Sequence, residues 1–123
     1  VSVFFTNEEQ ERGEVVRHNK RKRLQLPDSH IVYEVLSPAS SKNLQLLMTT
    51  LEAGVSSSEA PMSHGGEECA LVTGGTVEFT IGDETYVLED GDSISYEGSI
   101  PHKIRNIGET EVIIISAISP PGF

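Results

Sequence analysis

The chain of 123 residues has one cysteine and few basic side chains, and each scarcity excludes something. The lone Cys69 rules out an internal disulfide framework and fits a reducing compartment, so a cytoplasmic location is expected. No apolar run approaches the roughly eighteen residues of a membrane span, and the first residues lack the basic-then-apolar order of a secretory signal. No Gly-x-Ser-x-Gly segment offers a nucleophile elbow. Gly65-Gly66 and Gly74-Gly75 precede neither a helix pattern nor Gly-Lys-Ser, which excludes a phosphate-cradling loop.

Basic residues are also badly distributed for a nucleic-acid binder. The net charge is −10, and six of the nine basic residues are Arg12, Arg17, Lys20, Arg21, Lys22 and Arg23. From Leu24 onward only Lys42, Lys103 and Arg105 face fifteen acidic side chains. Such a body repels phosphate and is a better host for a cationic or metal ligand. The basic run at 20–23 lacks interleaved aromatics, so it reads as a solvated or edge-strand charge cluster before it reads as a nucleic-acid contact.

What is present is β structure. Val77, Phe79 and Ile81 alternate with Thr76, Glu78 and Thr80, the two-residue period of a half-buried strand. Similar reasoning predicts strands at Val15-Val16, Leu24–Leu26, Ile31–Leu36, Leu44–Leu51, 67–73, 85–89, 93–96, 102–106 and 111–118. Pro27-Asp28-Ser29 is a turn cluster, and Gly74-Gly75, Gly82-Asp83, Asp90-Gly91 and Gly108-Glu109 match hairpin chemistry. Val112–Ile115 would aggregate if exposed and should form a central strand. Val1–Phe5 and the acidic stretch to Glu11 read as an apolar tip and a linker. The chain opens on Val1 and is expected to be a piece of a longer protein. The rest is one domain, an antiparallel sandwich or barrel.

Two histidine-bearing segments bracket the short strands. In the first, His64 is followed after three residues by Glu68 and after six more by Gly75. In the second, Gly91 is followed by Glu97-Gly98-Ser99, then His102 and, after three residues, Asn106. This pattern resembles the cupin motifs G(X)5HXH(X)3,4E(X)6G and G(X)5PXG(X)2H(X)3N, over roughly residues 44–119. Met62 stands at the first histidine of that pattern, and Glu97-Gly98-Ser99 at its Pro-X-Gly. The resemblance implies an all-β double-stranded β-helix, a cupin jelly roll of about 8–10 antiparallel strands.

It also implies a site. His64, Glu68 and His102 are the expected metal ligands, a two-histidine, one-carboxylate set suited to divalent Fe, Mn, Ni or Zn. The same three with Met62, Phe79 and Tyr96 are the expected ligand-binding residues. Met62 is either a soft donor that weakens binding of a hard cation or an apolar filler in a pocket reshaped for an organic ligand. Phe79 and Tyr96 are core candidates that would wall the cavity. Parity places Glu68, Ala70 and Val72 on one side and Cys69 and Leu71 on the other, so Cys69 is expected to be buried, inert packing. Glu67 would replace Glu68 if the register slipped by one. Asn106 is expected to serve backbone hydrogen bonding.

Two functions remain open. The order of acidic linker, basic segment, small cupin and a tail containing Ser116-Ala117-Ile118-Ser119-Pro120 and Phe123 resembles the C-terminal half of XRE-type bacterial regulators, in particular those of polyamine and amino-acid utilisation. On that resemblance, residues 1–13 are a linker after an absent helix-turn-helix domain and 14–123 a sensor. Its implied partners are a small-molecule effector, an amine or amino acid, and a second copy in a homodimer, with DNA reached only through the absent domain. The alternative is a small metal-dependent cupin enzyme, a dioxygenase or isomerase.

Overall fold

A computed structural model describes residues 12–25, 28–58 and 60–122. Val1 to Glu11, Leu26, Pro27 and Phe123, on which several expectations rest, lie outside the described residues. Nine strands and one 3-10 turn (His18–Lys20) make up the regular structure among the described residues, and no α-helix occurs there. The strands are β1 (Lys22–Leu24), β2 (Ile31–Val35), β3 (Gln45–Leu51), β4 (Glu67–Thr73), β5 (Thr76–Ile81), β6 (Glu84–Glu89), β7 (Ser93–Glu97), β8 (His102–Asn106) and β9 (Val112–Ser119). They form a six-stranded sheet in the order β1-β2-β3-β9-β4-β7 and a three-stranded sheet in the order β6-β5-β8, all pairs antiparallel. This is the expected double-sheet jelly roll.

The inner faces follow the alternation read from the sequence. Glu68, Ala70 and Val72 are buried on β4, Val77 and Phe79 on β5, and Val112, Ile114, Ser116 and Ile118 on β9. Phe79, Val72, Val77, Val112 and Ile114 have no exposed surface, and burying each apolar side chain of this size contributes on the order of 2 kcal/mol. β9 lies between β3 and β4, so the Val112–Ile115 run is a central strand as anticipated.

Three expectations are corrected. Val15-Val16 is not a strand: Val15 is largely exposed, with too few flanking apolar residues to bury a face. The leading strand is Lys22–Leu24 and has ended at Gln25, so Lys22 and Arg23 of the basic run lie on the edge strand, and Arg21 Nη1, just before it, is 3.2 Å from Glu34 Oε2. That outcome is the solvated edge cluster, since positive charge deters strand addition. Of the four glycine turns only Gly82-Asp83 closes a hairpin, between β5 and β6. The turns after β4, β6 and β8 carry the chain from one sheet to the other. A glycine reports that the chain reverses, not which strand it then meets.

Candidate functional site

The site forms where the loop before β4 is stitched to the ends of two other strands. Met62 and His102 exchange both backbone hydrogen bonds, at 2.9 and 2.8 Å. Two residues after Met62, the His64 N–H donates to Gly98 O and the Gly98 N–H to Gly66 O, at 2.8 and 2.7 Å. Gly66 has φ +83 and lies so close to Ser119 and Pro120 that a Cβ would strike Ser119 O at 2.5 Å. At Gly98 a Cβ would fall onto the His64 ring. Two glycines therefore set the depth at which His64 enters the gap between the sheets.

The three expected ligand residues converge. One donor atom from each of His64, Glu68 and His102 lies within 4.8 Å of the others, and the two rings meet edge-on with centroids 4.9 Å apart. Glu68 on β4 is only 6% exposed, whereas Glu67 is exposed, so no register slip occurs. His64 Nε2 lies 2.9 Å from Glu68 Oε1. His64 Nδ1 donates to Gly65 O and His102 Nδ1 to Ile100 O, each at 2.8 Å. A carbonyl oxygen only accepts, so each Nδ1 carries a hydrogen, and a neutral ring presents the Nε2 lone pair to the site. Both imidazoles are thus oriented by a backbone carbonyl in the manner of metal-binding histidines. In the neutral state His64 Nε2 and Glu68 Oε1 are two acceptors at contact distance, an arrangement that requires a proton or a cation between them. The donor set fits a divalent ion held by two imidazoles and one carboxylate, with other positions open.

Tyr96 on β7 stands directly opposite Glu68 in the β4–β7 register, and its ring lies 4.8 Å from that of His102. It is 7% exposed, and its hydroxyl has no hydrogen-bond partner among the described residues. Burial, then the Glu68 charge, pushes its pKa well above the ordinary phenol value. Glu68 is near enough to act on the hydroxyl, although the pair does not achieve hydrogen-bond geometry.

The remaining candidates divide. Phe79 is wholly buried in the core, 6.3 Å from the Tyr96 ring, and supports the site from beneath. Met62 shares a bridge with His102, but its side chain is 62% exposed at the rim. Cys69 is exposed on the outer face of β4, which corrects the expectation of a buried thiol while keeping the side assigned by parity. Asn106 is fully buried, donates from Nδ2 to Leu51 O and Thr110 O, and accepts from the Gly108 N–H. It is the backbone-binding residue anticipated. Gly98 was not singled out by sequence reasoning; the signal was its position inside the segment replacing Pro-X-Gly. Two clefts lie apart from the triad: one of about 700 Å³ beside Arg17, Lys20, Arg23, Leu24 and Tyr33, and one of about 670 Å³ along the seam of β6 and β7, partly walled by Tyr96.

Comparison with known proteins agrees with this geometry. The HTH-type transcriptional regulator PuuR of Escherichia coli is 31% identical over 83 residues, 68% of this chain and 44% of that protein. The cupin domain of an XRE family transcriptional regulator from Enterobacter cloacae superposes with a TM-score of 0.66 and 26% identity, covering 76% of this chain and 99% of that one. The polyketide cyclase RemF of Streptomyces resistomycificus shares the fold at a TM-score of 0.72 with 14% identity, over 89% of this chain and 81% of that one. The chain spans about half the length of the curated relatives it matches. The family model described as a cupin domain matches residues 47–118, more than half of the chain, running from within β3 to within β9 and including the triad, and on that match this chain belongs to the cupin family.

Proposed function

We propose that this chain is the effector-binding cupin domain of a bacterial transcriptional regulator, whose ligand binds at His64, Glu68 and His102. The observation that carries the reading is the coincidence of a converged cation-accepting triad with likeness to two proteins described as transcriptional regulators. Buried Glu68 and the acidic body favour an amine-bearing ligand. A ligand that binds one conformation or dimer arrangement better than another shifts the population of an attached helix-turn-helix pair. In this reading residues 1–13 are the linker from that DNA-binding domain and 14–123 the sensor. The protein acts in the cytoplasm as a homodimer. Support for pairing is the edge strand β6, where Tyr86 and Val87 are 42% and 60% exposed. No helix among the described residues is long and apolar enough to cross a membrane.

The test is calorimetric titration of the wild type and His102→Ala with amines, amino acids and simple carboxylates. Binding of an amine-bearing compound that is lost in the variant is expected. Binding of carboxylates alone, or binding indifferent to the variant, overturns the reading.

The donor set favours a second reading, a metal-dependent cupin enzyme with His64, Glu68 and His102 as ligands. The bound ion would act there as a Lewis acid toward an oxygen of the substrate. Stoichiometric iron or manganese in the purified protein, lost in His102→Ala, would select this reading.

A further inference from the structure

The larger sheet has six strands and the smaller three, and the β1 end of the larger one is left uncovered. On β2, Tyr33 and Val35 stand opposite Thr49 and Leu47 of β3, both buried, so all four share the core-facing side. On β1, Leu24 and Lys22 stand opposite Tyr33 and Val35 and lie on that side too. Yet β1 is exposed along its length and β2 only half-buried. Over this face opens the cleft of about 700 Å³, within the roughly 300–1,000 Å³ range of small-molecule sites.

Its walls and rim differ in chemistry. Val15, Leu24 and Leu44, three of the large apolar side chains that remain exposed, line it beside Tyr33 and Val35. Arg17, Lys20 and Lys22 also line it and make no ion pair among the described residues. The only carboxylate among the lining residues, Glu14, accepts the hydrogen of the Ser40 hydroxyl at 2.6 Å. We propose that this cleft is a second ligand site, and that it takes a small organic anion with an apolar body. The ligand is an acyl carboxylate whose chain lies against Leu24, Tyr33 and Val35 and whose charge meets Arg17, Lys20 and Lys22.

This goes beyond the effector reading and does not depend on it, since the triad accepts cations and this cleft carries the opposite sign. An inorganic anion would meet the three cations but leave the apolar walls in water. A neutral hydrocarbon would cover the walls without using the charges, and an amine would set its charge against three of the same sign. The net charge of −10 repels anions at long range, but salt screens that repulsion beyond about 8 Å at physiological ionic strength. The nearby cations therefore decide which sign is accepted, and apolar contact supplies most of the affinity.

The experiment follows backbone amide resonances of the ¹⁵N-labelled chain while octanoate, octylamine, 1-octanol, acetate or inorganic phosphate is added, and repeats the octanoate series on the double variant Lys20→Glu, Lys22→Glu. Octanoate is expected to shift the amides of Leu24, Tyr33 and Val35, to leave those of His64, Glu68 and His102 in place, and to bind at least about tenfold more tightly than the other four compounds. The double variant should lose octanoate by about tenfold. Both lysines are exposed, so an unchanged melting temperature and unchanged triad amides show that the variant is folded. Phosphate or acetate binding as tightly as octanoate reduces the cleft to a plain charged patch and overturns the proposal. So does octylamine or 1-octanol binding as tightly, binding indifferent to the double variant, or no shift at Leu24, Tyr33 and Val35. Broadening of those three amides with rising protein concentration and no added compound would show the cleft filled by a second copy, and overturns it too. Each of these failures leaves the reading of the triad untouched.

Discussion

Gly98 packs its bare Cα against the imidazole of His64, so that position 98 controls where the ring can sit. The backbone hydrogen bonds from His64 to Gly98 and from Gly98 to Gly66 lock the two segments together, leaving little room for relaxation. Gly98→Ala should therefore displace the ring from Glu68 and cost about 1–3 kcal/mol through overpacking. Thermal unfolding measures the cost, and the binding of Zn²⁺ or of an effector should weaken by about tenfold or more, because a ligand moved off its position loses its share of the site.

Tyr96 carries a hydroxyl that folding buries without a partner, so its removal should help stability at neutral pH. Tyr96→Phe is expected to gain about 1 kcal/mol, a rise of about 4 °C in melting temperature. The alkaline limb gives a second sign. Folding raises the phenol pKa above 10.0, first by burial and then through Glu68, so the native state holds this proton more tightly than the unfolded chain. That contribution is full below pH 10 and is lost as pH rises above it. Wild type should lose stability above pH 10 more steeply than Tyr96→Phe, with part of the loss persisting because burial also raises the Tyr33 pKa. Urea midpoints from pH 8 to 11 check both statements.

Asn106 bonds three backbone groups, Leu51 O at the end of β3 and Thr110 O and Gly108 N in the loop after β8, from a fully buried side chain. Asn106→Ala leaves two carbonyls and one N–H without their partner and opens a small cavity. A loss of about 3 kcal/mol is expected, read as a fall in the urea midpoint. Asn106→Asp keeps the acceptor for Gly108 but removes both donors, so it should be destabilised nearly as much.

Most of this fold was legible because one physical rule operates along each strand. Alternating burial at Glu68, Ala70 and Val72, and at Val77 and Phe79, is the pleat itself, and it also placed Cys69 on the opposite side. The triad was legible through the spacing of His64, Glu68 and His102. The failures come from contacts that no local pattern encodes. The exposure of Met62 depends on how the loop is stitched to β8, and the unpaired hydroxyl of Tyr96 on which residue of β4 faces it. Likewise, the need for a side chain as small as hydrogen at Gly98 arises from His64, thirty-four positions away. Val15-Val16 failed for a different reason: β-branched residues favour extended backbone, but a strand also needs a face to bury.

His64, Glu68 and His102 are expected to act as one cation-accepting site. The four histidines of the chain allow a direct measurement, because His18 and His30 lie outside the triad. Imidazole resonances would be followed by NMR while Mn²⁺ is added to the wild type and to Glu68→Gln. Paramagnetic broadening should strike His64 and His102 together, at Mn²⁺ concentrations that leave His18 and His30 sharp, and Glu68→Gln should require about tenfold more metal. Broadening of His18 or His30 first, or of His64 and His102 at separate concentrations, would contradict it.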